Sequence, residues 1–174
     1  MAENISIQAL NTLSRNGFVS VIGPVFEHSP WIAELTWNKK PFTDVEQLLR
    51  ALGETVDDSG EAKQLALIRA HPDLVGRAAL AGALTRESTG EQASAGLNQL
   101  TAAEIERFQD NNAAYTEKFG FPFVICARLN KKEAILAGFE KRLRHSQAEE
   151  IRTALAEIGK IAELRVRDLI SPNP

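Results

Sequence analysis

One cysteine, one methionine, one tyrosine and three histidines among 174 residues leave little room for several kinds of chemistry. The lone Cys126 excludes an internal disulfide and suits a reducing compartment. Its neighbours Val124, Ile125 and Ala127 are apolar, which favours a buried, inert thiol over a nucleophile. His28, His71 and His145 lie far apart, with no HxxxH pair and no Cys/His cluster, so metal-ligand spacing is missing. The glycines form neither a Gly-x-Gly nor a Walker phosphate loop, and no G-x-S-x-G elbow occurs. Long hydrophobic runs are missing too: Phe121 to Ala127 falls far short of the roughly 20 residues a spanning helix needs. No membrane partner is expected. Nor is nucleic acid, because the formal net charge is -3 and acids and bases are interspersed rather than gathered into a basic patch. The first residues carry no basic stretch followed by an apolar run, and DLISPNP is no peroxisomal address. The expected location is the cytoplasm.

What is present is helix punctuation. At 44% hydrophobic and 25% charged, the chain has ordinary globular composition and material for one sizeable core. A Ser, Thr or Asn followed three residues later by Glu satisfies the orphan amides of a helix start reciprocally. The pattern occurs at Thr43/Glu46, Ser88/Glu91, Thr101/Glu104, Asn130/Glu133 and Ser146/Glu149. After Thr101, Ile105, Phe108, Tyr115 and Phe119 keep helical spacing, and Gly120 with Pro122 supplies the stop. After Thr43, Val45, Leu48, Leu49 and Leu52 do the same, to Gly53 or a little beyond. Residues 63–70, 73–84, 131–144 and about 147–170 also read as helices. Residues 85–96 read as a loop and short helix. Residues 121–127 could be extended, but one such segment makes no sheet. The expectation is an all-α single compact domain over residues 1–174, with about seven or eight helices and no sheet.

Catalysis would have to come from isolated acids and bases. His71 lies between two helical runs, and Pro72 disfavours helical geometry at His71 while suiting the first position of the next helix. The imidazole is a candidate acid or base; it could equally cap or pack at that corner. His28 has a similar Pro-bounded setting, and for His145, at a helix end, capping is the simplest account. Glu91 beside Gln92 offers acceptors and donors together, as a urea-like substrate would need, although the Ser88/Glu91 box alone would explain them. In the last helix Ile151, Leu155, Ile158, Ala162, Arg165 and Leu169 recur at alternating steps of four and three, which puts Arg165 on the apolar stripe. A guanidinium there must snorkel out, pair with an acid, or face an anionic ligand. Arg167 points away from the stripe and reads as solvated.

At these residues the sequence resembles the decarboxylases of 2-oxo-4-hydroxy-4-carboxy-5-ureidoimidazoline (OHCU). The matching pieces are residues 26–31 (FEHSPW), 71–74 (HPDL), 88–92 (STGEQ), 119–126 (FGFPFVIC) and 160–165 (KIAELR), in order along nearly the whole chain. The resemblance implies an all-helical fold and a decarboxylation of OHCU to (S)-allantoin and carbon dioxide, in urate degradation, without any cofactor or metal. It implies His71, Glu91 and Arg165 as catalytic groups. It implies substrate contacts at Pro72, Ser88, Thr89, Gly90, Glu91, Gln92, Phe123, Val124, Ile125, Cys126, Ala127 and Arg165. A homodimer is a further implication. Two readings from other classes stand beside it: a helical binding domain without activity, and a lyase or hydrolase of another ureide.

Overall fold

A computed structural model describes residues 4–171, which divide into two units: 4–70 with 159–171, and His71–Ile158. The class is all-α, as expected. Among the described residues no strand forms, and the β structure is an isolated parallel bridge between Ile5 and Ile170. Ten α-helical segments occur among the described residues, more than the seven or eight expected.

The first unit holds α1 (Ile7–Thr12), α2 (Arg15–Ile22), α3 (Trp31–Thr36), α4 (Val45–Asp57) and α5 (Glu61–Arg69), with a 3-10 turn at Gly23–Val25. The first three helices are too short to show a long apolar period, so periodicity does not announce them. Ser6 and Ser14 start α1 and α2 by accepting the amides of Ala9 and Gly17. α4 is capped one residue later than expected. Asp44, not Thr43, accepts the Gln47 amide, and the Gln47 carboxamide answers by accepting the Thr43 N–H at 2.6 Å. Leu10, Phe18, Ile22, Ile32, Leu48, Leu67 and Ile68 form a core with no exposure, and the Phe18 ring stacks on Phe42.

The second unit contains α6 (Arg77–Leu80), α7 (Arg86–Ser94), α8 (Ala102–Phe119) and α9 (Lys132–Arg142). α10 (Gln147–Leu169) begins in this unit and ends in the first. α8 has the full Thr101/Glu104 box and stops at Gly120, in the left-handed conformation at φ 75° that glycine adopts without a Cβ clash. Ser146/Glu149 is reciprocal as well: each side chain accepts the other residue's N–H. The other two boxes are not made. α7 starts three residues earlier, on Thr85, whose hydroxyl accepts the Ser88 amide, so Ser88 lies inside the helix. Asn130 donates to the Cys126 carbonyl instead of capping α9. The helix expected over 73–84 shrinks to α6, because Val75 takes a left-handed φ of 54° and Gly76 is extended. Pro72 therefore opens a turn and not a helix. Phe108, Tyr115, Phe119, Phe121, Phe123 and Phe139 make an aromatic core, and burying each ring is worth about 1.5–3 kcal/mol.

Candidate active site

Within the second unit, three segments named by the sequence reading are fixed by identifiable contacts. His71 follows α5 in the chain and is buried. Beyond it the backbone turns sharply. Gly76 donates to the Asp73 carbonyl at 3.3 Å, and a Cβ at residue 76 would fall 2.7 Å from the Asp73 Cβ, so only glycine fits. Val75, buried and β-branched, is strained at its positive φ. Its N–H donates to the Gln92 Oε1 at 3.2 Å. That bond joins the His71–Leu74 segment to the Ser88–Gln92 segment of α7. Ser88 and Gln92, one helical turn apart, are both buried; Glu91 is half-buried, while Thr89 and Gly90 are exposed.

Asp73 is half-buried, and its Oδ1 has no hydrogen-bond partner among the described residues. Loss of water around the carboxyl raises its pKa.

The segment from Phe123 to Cys126 is irregular, leads into a 3-10 turn at Ala127–Leu129, and is pinned from both sides. The Phe123 ring stacks on Phe139 with centroids 3.9 Å apart. Arg142 donates from Nη1 to the Val124 carbonyl at 2.6 Å, and its guanidinium carbon lies 4.2 Å from the Phe123 ring centroid. Glu157 accepts the Cys126 N–H at 2.8 Å, and Asn130 reaches the Cys126 carbonyl at 2.9 Å. The Ile125 peptide lies between these fixed points. The Cys126 thiol is buried and burial pushes its pKa up, which matches an inert cysteine.

Arg142 itself is held by a fully buried carboxylate that the sequence reading did not single out. Glu150 accepts from Arg142 Nη2 at 2.9 Å, from the Tyr115 hydroxyl, and pairs with His145 Nδ1 at 2.8 Å. Burial and that hydrogen bond push the Tyr115 hydroxyl well above its ordinary range. The His145 ring is thus a partner of Glu150, while its backbone N–H donates to the Arg142 carbonyl at the end of α9 at 3.0 Å.

In the first unit, Arg165 is buried on the apolar stripe of α10, as its spacing indicated. Of the three fates open to it, pairing with an acid is realised. Nη2 donates to Glu27 Oε1 at 3.0 Å, and Nη1 to the carbonyls of Pro24 and Val25, each at 3.3 Å. Glu27 is as buried as its partner. It escaped the sequence reading because residues 26–31 carry no periodicity from which a buried acid stands out. His28 is exposed, with Nε2 3.9 Å from Glu27 Oε2, and Arg167 is exposed beside Glu46 and Glu163. Among the described residues no group of three His, Cys, Asp or Glu could hold a metal ion, and no helix is long and apolar enough to cross a membrane.

The OHCU decarboxylase family model matches residues 11–167. The chain belongs to the OHCU decarboxylase family. Within it, the 2-oxo-4-hydroxy-4-carboxy-5-ureidoimidazoline decarboxylase of Halalkalicoccus jeotgali is 42% identical over 97% of this chain and 93% of its own length. That of Haloferax volcanii is also 42% identical, over 96% of this chain and 97% of its own. A crystal structure of (S)-allantoin synthase superposes with a TM-score of 0.78 at 29% identity, covering 96% of this chain and 54% of that one. A crystal structure of OHCU decarboxylase in the presence of (S)-allantoin gives a TM-score of 0.68 at 23% identity, a likeness of fold. This OHCU decarboxylase family member therefore shares its helical architecture with solved relatives.

Proposed function

We propose that the chain decarboxylates OHCU to (S)-allantoin and carbon dioxide, with His71 as the proton-transfer group. The bond from the ring carbon to the carboxylate breaks, carbon dioxide leaves, and the electron pair forms a C=C bond while the adjacent C=N pair passes to nitrogen, which takes up one proton. The substrate supplies its own electron sink, so the chemistry calls for no pyridoxal or thiamin. The enol-like product then loses its hydroxyl proton and gains one on carbon from a single face, which sets the stereochemistry. Overall one proton is taken up.

The observation that carries this reading is the bond from the Val75 N–H to Gln92, which ties the His71 turn to α7 inside one unit. Because an N–H can only donate, Gln92 spends its oxygen there and turns its NH2 away as a donor for a urea carbonyl. Glu91 on the same turn of α7 offers acceptors for ureido N–H groups, with Ser88 below it. Pro72, Thr89 and Gly90 frame these groups, and the Ile125 peptide, held between the anchored Val124 and Cys126, reads a ring amide. Phe123 and Ala127 shape the apolar wall. For Arg165 the proposed role is to hold an anionic group, with a guanidinium already oriented by Glu27. A cytoplasmic homodimer is proposed on the family resemblance; sedimentation would check its mass.

The test generates OHCU in place with urate oxidase and hydroxyisourate hydrolase and follows optical activity. The protein should give (S)-allantoin faster than the spontaneous reaction. His71→Asn should lower turnover by about 100-fold or more, the usual worth of a positioned acid or base, while His28→Asn stays mild. Racemic allantoin at the spontaneous rate would overturn the assignment.

A further inference from the structure

Leu74 and Val75 share one peptide group, and both its poles are gripped by carboxamides. Its carbonyl accepts from Asn112 Nδ2 at 2.7 Å, and its N–H donates to Gln92 Oε1 at 3.2 Å. This is the peptide whose rotation would carry Val75 out of its left-handed φ of 54°. A strained conformation of this kind persists only where its surroundings over-determine it. The two carboxamides do so, since reversing the peptide would set two like poles against each other at each end.

Asn112 has no other evident reason to be where it is. It lies on the buried stripe of α8 between Phe108 and Tyr115, where an apolar side chain would pack, and only 6% of its surface is exposed. Its orientation is not interchangeable: the Leu74 oxygen can only accept, so the amide nitrogen must face it. The Asn112 Oδ1 is then left buried with no hydrogen-bond partner among the described residues, an arrangement that costs stability. A side chain that weakens the fold in order to hold one backbone carbonyl is better explained by what that carbonyl fixes.

We propose that Asn112 is a positioning residue for His71, locking the Leu74–Val75 peptide from the side opposite Gln92 and so holding the turn that presents the imidazole. The inference rests on the proposed role of His71. It adds to that role a residue outside every motif of the sequence reading, reached 38 positions along the chain from its partner.

Asn112→Leu keeps the branched shape of the side chain and removes both the donor and the unmet oxygen. Melting temperature should change little, because a relieved acceptor offsets a stranded carbonyl. Turnover should fall about 10- to 100-fold, as misplacement of a reacting group predicts. KM should stay within about threefold, because ground-state binding is untouched. In a His71→Asn background the same substitution should lower the rate little further, since both act through one step. Native kcat in Asn112→Leu overturns the proposal, and so does full multiplication of the two losses. Should Asn112→Leu fail to fold, Asn112→Ala is judged by the same criteria; failure of both to fold assigns Asn112 to the fold and ends the proposal. Native turnover in His71→Asn would instead bring down the reading of His71 itself.

Discussion

Asp73 shows how a single residue can register the cost of its place. Burial has raised its carboxyl above the ordinary carboxylate value, so the folded chain binds this proton more tightly than the unfolded chain does. That contribution to stability is complete below the unfolded pKa of about 3.9 and is lost as pH rises through the folded value. Asp73→Asn abolishes the ionisation. The melting temperature of the variant relative to the native chain should therefore climb as pH is raised from about 4 to 7, the two converging in acid. A difference that stays flat across that range would show that Asp73 is as well solvated folded as unfolded. At this scale the sequence reveals some residues and hides others. Arg165 stands out because a charge interrupts an apolar stripe. Asn112 interrupts a stripe too, but its meaning lies with Leu74, 38 residues away, and no local pattern connects them. Glu150 is hidden more deeply: among the first residues of α10 an acid is what the helix dipole favours, and only the packing reveals that this one is fully buried against Arg142 and Tyr115.

Among elements, local reciprocity decides what can be foreseen. Thr101/Glu104 and Ser146/Glu149 are closed within four residues and stand as read. Thr43 loses to Asp44, a stronger acceptor one step on, and Ser88 loses to Thr85, which leaves Ser88 and Gln92 sharing one buried face of α7. The long helices α8, α9 and α10 follow from periodicity, whereas α1 to α3 are too short to show one. The ion pair between α10 and the segment after the first 3-10 turn also acts at this scale. Arg165→Met would leave Glu27 buried without its main counter-charge, and should lower stability by about 3–5 kcal/mol in urea or thermal melts. Pairing Arg165→Met with Glu27→Met should restore much of the loss. A single variant as stable as the native chain would mean that the guanidinium serves a ligand at little benefit to the fold.

For the whole molecule, the helical class was readable because capping and periodicity are local, and five motifs in order sufficed to indicate the family. The division of the chain was not readable, because it depends on contacts between distant segments: α10 contributes Gln147–Ile158 to one unit and the remainder to the other. The Ile5–Ile170 bridge has a consequence of its own. The Ile5 N–H donates to the Leu169 carbonyl and the Ser171 N–H to the Ile5 carbonyl, each at 2.9 Å, so positions 165 residues apart in sequence are direct neighbours. From Ile5 to Ile170 the backbone is already nearly a closed loop. A short Gly/Ser linker across that junction would close it at small entropic cost, and the ring could be reopened at exposed Gly82, whose N–H donates to the Ala79 carbonyl at 3.2 Å. Such a circular permutant should melt cooperatively and keep its helical circular dichroism. The order in which these helices leave the ribosome would then be a convenience of synthesis and not a requirement of the structure.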